Sequence, residues 1–186
     1  MSDDSFMNAK IMTIIGPVQD SQVGLPTRGK DWTRPFARAI CAKIETLDLG
    51  LNLLQIQRLR ESIGDDIRKY SDCHTPEASK AALETAAPLG IDLYTMHWHN
   101  QKKFDPGRSI FVFEHVVPVG VIRDECIAAH TESAIMDVLM NRTRVAWILR
   151  SEDALLNGHG YCRKRPPHAY TEVGIELVPF AGGTAS

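Results

Sequence analysis

Several signals are missing from this sequence, and each absence removes a class of protein. The four cysteines, Cys41, Cys73, Cys126 and Cys162, stand far apart. No CxxC pair exists, which argues against a zinc ribbon. No apolar run approaches the roughly 20 residues that a membrane-spanning helix needs. The N-terminal MSDDSFMNAK is acidic and polar, unlike the basic and then apolar start of a secretory leader. No excess of positive charge advertises nucleic acid: 21 Lys and Arg stand against 23 Asp and Glu, a net charge of -2. There is no internal repeat. These absences leave a soluble, cytoplasmic protein with reduced thiols as the expectation. With 44% hydrophobic residues, a chain of this length can bury a core without metal or disulfide.

The punctuation suggests an order of parts. Residues 1–30 read as an irregular arm, with a short strand at Lys10–Ile15 ended by Gly16-Pro17. Residues 31–90 read as a helical scaffold. Asp31 caps a first helix with Phe36, Ala39, Ile40, Lys43 and Ile44 inward. Leu53–Tyr70 forms a second, with Leu54, Ile56, Leu59, Ile63 and Ile67 inward, and with Arg58, Arg60, Arg68 and Lys69 on a solvated face. Thr75-Pro76-Glu77 starts a third. Residues 91–180 differ in character. His97 and His99 face one side if their segment is extended, as a metal pair would; packing of one against Trp98 is the simpler alternative. Ser109–Val119 is the most strand-like run, and Pro118 closes it. A helix over 121–140 follows, then a strand at 143–149. A short helix capped by Ser151 comes next, with Glu152 and Asp153 in its first turn. Residues 181–186 read as a frayed tail.

The strand at 109–119 carries Glu114 beside His115, a pair that is costly to bury unless partnered or bound to metal. The string Glu114-His115-Val116-Val117-Pro118, then an excursion, a second strand and a short acid-led helix, resembles the ββα-metal core of the HNH, or His-Me finger, nucleases. In that family the first strand ends in Asp-His and a proline soon follows. The resemblance covers about residues 109–160. It implies an α+β fold, a helical N-terminal half followed by a ββα-metal-like core with a long helical insertion between the two strands. It also implies a metal-dependent endonuclease acting on double-stranded DNA, as restriction enzymes do. His115 would then be the general base and Glu114 a ligand to a divalent ion, Mg²⁺ by preference, with Asp153 or Asn157 as its partner. Glu stands where the family has Asp. The family's middle asparagine has no unique counterpart; Asn141 is available.

Local charge fits such a role. Arg142, Arg144, Arg150, Arg163, Lys164 and Arg165 concentrate in the same region, and Lys102, Lys103 and Arg108 extend it, enough to meet DNA phosphates despite the net charge. A homodimer would suit cleavage of a symmetric duplex site. Two other readings stay open: a metal-dependent hydrolase or oxygenase using His97, His99 and His115 with Glu114, and a non-enzymatic nucleic-acid-binding or regulatory module.

Overall fold

The computed structural model describes residues 30–180. The expected arm over 1–30, apart from Lys30, its strand at Lys10–Ile15 and the tail at 181–186 lie outside them. The architecture is α+β, with a helical N-terminal half and one small mixed sheet.

Helices α1 (Lys30–Leu47) and α2 (Leu53–Ser71) form the N-terminal half. Asn52 starts α2 with a reciprocal cap: its side chain accepts from Gln55 N at 3.0 Å, and Gln55 Oε1 accepts from Asn52 N at 3.0 Å. Ala37, Ile40, Ile44, Ile63, Ile67 and Tyr70 are buried between these helices and a later pair. Two expected inward residues face out: Ala39 is exposed, and Leu54 is 63% exposed. Leu54 sits in the first turn of α2, beyond the reach of the helices that cover Ile63 and Ile67.

The expected helix start at Thr75 is instead a strand, β1 (Glu77–Ser79), followed by α3 (Lys80–Ala86). Ser79 is the cap, accepting from Ala82 N at 3.1 Å. A local Thr-Pro-Glu signal lost here to tertiary pairing. Ala78 is fully buried and lies parallel to Trp147 of a later strand. After α4 (Gln101–Phe104) comes β2 (Phe111–His115). Asp105, fully buried, accepts from the backbone N–H groups of Ser109 and Phe111 at 3.0 Å each and so fixes the entry into β2.

The expected single helix over 121–140 is two, α5 (Val119–Ala129) and α6 (Glu132–Arg142). His130 takes a positive φ of 56° between them, and Thr131 caps α6 through Ala134 N at 3.2 Å. These two helices pack on α1 and α2 through Ile122, Cys126, Ile135 and Leu139. The insertion and the N-terminal half therefore share one core.

Strand β3 (Val145–Leu149) pairs antiparallel with β2, and α7 (Arg150–Gly158) follows at once. Glu152, not Ser151, caps α7: its carboxylate accepts from Leu149 N at 2.7 Å and from Ser79 Oγ at 2.6 Å. After the short α8 (Ala169–Glu172), β4 (Leu177–Val178) pairs antiparallel with β1 and completes the order β2-β3-β1-β4. Since β1 lies inside the sheet, the packing unites residues 77–79 with the C-terminal region and does not divide the chain near residue 90. No helix among the described residues is long and apolar enough to cross a membrane.

Candidate functional site

Strand alternation decides where the Glu-His pair points. Successive side chains of a strand leave opposite faces. Phe111 and Phe113 pack with Phe104 and Trp147 on one face, the face of His115. Val112 packs with Ala146, Ile148, Leu156 and Tyr170 on the other, the face of Glu114. The two neighbours in sequence therefore serve different surroundings.

On its face, Glu114 Oε1 meets Arg165 Nη1 at 2.7 Å. The same nitrogen donates to His115 O at 3.0 Å and lies 2.9 Å from the Tyr170 hydroxyl. The Arg165 side chain is 2% exposed. It is thus an internal counter-ion, not the third member of an exposed basic triplet, whereas Arg163 and Lys164 are exposed. Burial still raises the Glu114 pKa above the usual carboxylate range; Arg165 opposes that rise and nearby Asp153 adds to it. Burial also pushes the Tyr170 hydroxyl well above its ordinary value.

The Mg²⁺ site implied by the HNH resemblance does not fit this face. Glu114 already has a buried guanidinium as its cation. Asn157 is exposed near the end of α7. Asp153 is half-buried and near Glu114, but a hard, hydrated ion would have to compete with Arg165. Asn141 is also exposed, and its amide turns back on its own helix to Asp137 O at 2.8 Å.

On the opposite face, His115 Nε2 lies 3.1 Å from Ser71 Oγ. The Ser71 hydroxyl gives its one proton to Ile67 O at 2.7 Å, so its oxygen accepts from Nε2–H and Nδ1 carries the basic lone pair. Burial lowers the His115 pKa, Arg68 and Arg165 lower it further, and Asp72 opposes them. The imidazole is therefore held neutral.

His115 lines a cleft of about 670 Å³ between α2, the 98–108 segment and β2. Arg68, Lys69, Arg108 and Arg150 also line it. Arg68 and Lys69 stay exposed, as a solvated face requires, with Arg68 paired to Asp65 at 2.8 Å, and they also border the cleft. Arg108 has a positive φ of 54°, its guanidinium carbon lies 5.8 Å from the Trp98 ring centroid, and its buried Nε has no hydrogen-bond partner. The Arg150 guanidinium donates to Arg108 O and braces this turn. Lys102 and Lys103 are exposed on α4, next to the cleft residue Gln101.

At the same cleft, Asp72, at the end of α2, meets His97 and His99. The segment is not extended: His97 caps a single 3₁₀ turn, Trp98–Asn100, and His99 lies within it. The donor atoms of the three side chains all lie within 4.8 Å of one another. Trp98 Nε1 donates to Asp72 Oδ1 at 2.7 Å. His115 and Glu114 are not members of this group.

Sequence reasoning picked out His115, His97 and His99 but missed Ser71, Asp72 and Tyr170. A serine and an aspartate at a helix end look like ordinary terminal residues. Compared with family models, with curated proteins and with solved structures, the chain matches none.

Proposed function

We propose that the protein is a phosphodiester hydrolase, an endonuclease acting on double-stranded DNA, with its reacting centre in the cleft at the end of β2. The observation that carries this reading is His115 itself. A half-buried, neutral imidazole with one nitrogen fixed by Ser71 sits in a cleft lined by four basic side chains and by Asp65 and Asp72. A neutral imidazole takes a proton from water near physiological pH. Arginines neutralise the charge that grows on the phosphate as the water attacks. The braced turn around Arg108, which lines the cleft, suits a contact from its guanidinium to a phosphate. The order strand, helical insertion, antiparallel strand, helix supports the reading. Glu114 holds the strand end in place through Arg165 and takes no part in the chemistry.

The test is nicking of supercoiled plasmid, with and without added divalent ions. His115→Ala is expected to slow cleavage by about 10²–10⁴-fold, the usual worth of positioned acid-base catalysis, while DNA affinity is nearly kept. Wild-type turnover by the variant would remove His115 from the mechanism.

A further inference from the structure

We infer that Asp72, His97 and His99 form a binding site for a borderline transition-metal ion such as Zn²⁺, open on one side to the His115 cleft. His97 Nε2 lies 3.9 Å from Asp72 Oδ1, and His99 Nε2 lies 3.8 Å from Asp72 Oδ2. Both separations exceed hydrogen-bond length. Neither imidazole bonds the carboxylate, although His97 has a hydrogen bond to the Asp72 backbone that ligation would compete with. Two ligands at about 2.0–2.1 Å from a tetrahedral ion stand about 3.3–3.4 Å apart, so the His99–Asp72 pair closes by roughly half an ångström and the set of three, which lies within 4.8 Å, by at most roughly 1.5 Å. Side-chain rotation supplies that, since His99 is exposed and His97 is only part-buried.

The surroundings are those of a supported site. The Trp98 indole bonds Asp72 Oδ1 and orients the carboxylate, leaving Oδ2 for an ion, as outer partners of metal ligands do. The His97 and His99 rings stack with centroids 4.7 Å apart and an interplanar angle of 15°, so their in-plane lone pairs run nearly parallel and one ring must turn to share an ion. His97 Nδ1 accepts a long 3.3 Å bond from His99 N. Ligation through Nε2 moves the ring proton to Nδ1 and gives up this weak bond. Two imidazoles and one carboxylate favour Zn²⁺ and its neighbours over hard Mg²⁺. Three protein ligands leave a fourth position, the arrangement of catalytic sites. Asp72 and His99 both line the cleft that His115 lines, so the site borders the proposed reacting centre. The ion's catalytic use rests on the proposed nuclease reading, but its binding does not.

The experiment titrates the metal-free full-length protein with Co²⁺, read by visible absorption, and with Zn²⁺ and Mg²⁺, read by calorimetry. One Zn²⁺ per chain is expected, with Mg²⁺ far weaker. Asp72→Asn keeps an acceptor for Trp98, and His99→Ala changes an exposed residue, so both variants should fold; circular dichroism checks this. Each should weaken Zn²⁺ by more than the about 10–100-fold that loss of an outer partner costs, while His115→Ala binds as the wild type does. Equal Zn²⁺ affinity in wild type, Asp72→Asn and His99→Ala overturns the site. Zn²⁺ binding that these variants abolish, in a protein that nicks no DNA with any ion, upholds the site and overturns the nuclease reading.

Discussion

Arg165 and His115 show how much a single side chain's direction decides. Arg165 stands in a run of three basic residues, yet its guanidinium is the buried partner of Glu114. Breaking a buried pair by removing one partner leaves an uncompensated charge. Arg165→Met should therefore cost about 3 kcal/mol, the low end of the usual range, because the Glu114 side chain keeps 21% exposure. Adding Glu114→Gln should return much of that loss, as measured by urea unfolding. A double variant no more stable than Arg165→Met would mean that the pair is not what holds the strand end. His115 gives a pH prediction. Its folded pKa lies below the ordinary 6.5, so as pH falls the unfolded chain binds the proton first. The stabilisation is complete above about 6.5 and is lost as pH drops toward the lowered folded value. His97 shifts in the same sense. The urea midpoint should fall between pH 7.5 and 5.5, and less so in His115→Gln. Equal falls in the two proteins would show that His115 does not titrate in this way.

At the scale of elements, the joint between β1, β3 and α7 is one carboxylate. Glu152 accepts from the backbone where β3 becomes α7 and from Ser79, which itself caps α3. Glu152→Ala strands a buried hydroxyl and a backbone N–H, and should cost about 2–3 kcal/mol. Thermal unfolding measures it, and a loss below about 0.5 kcal/mol, the level of ordinary surface changes, would contradict the capping role. The same elements show why local reading fell short. Thr75-Pro76-Glu77 has every mark of a helix start, but Ala78 gains burial beside Trp147 only by extending. The residues over 121–140 keep an apolar face throughout, so the break at His130, without glycine or proline, shows in the sequence through Thr131 and Glu132, the cap and first-turn acid of α6.

For the whole molecule, the net charge of -2 means that any hold on DNA must be local. Lys102 and Lys103 are exposed on α4 next to the cleft residue Gln101, so Lys102→Ala with Lys103→Ala should lower the slope of log affinity against log salt by about 0.9 for each phosphate that these lysines neutralise. Fluorescence anisotropy of a labelled duplex at several salt concentrations measures it. An unchanged slope would mean that DNA does not cross that side of the cleft. Arg163→Ala with Lys164→Ala makes the companion test; Arg165 is kept because its removal would damage the fold and not the surface.

What the sequence determined by itself was written in short-range patterns. The α+β class, the two N-terminal helices, the strand ending in Glu114-His115 and the helix that follows the second strand all follow from periodicity, caps and β-branched runs. His115, His97 and His99 stood out as candidates because a histidine at a strand end, or two at close spacing beside an aromatic, invite a proton-transfer or metal role. Tertiary structure alone decided which of them meet. Consecutive strand residues part to opposite faces, so Glu114 goes to Arg165 and His115 to Ser71. Asp72 reaches the two histidines across 25 or more residues of chain. Such meetings are set by how helices pack on a sheet, and no local pattern encodes that.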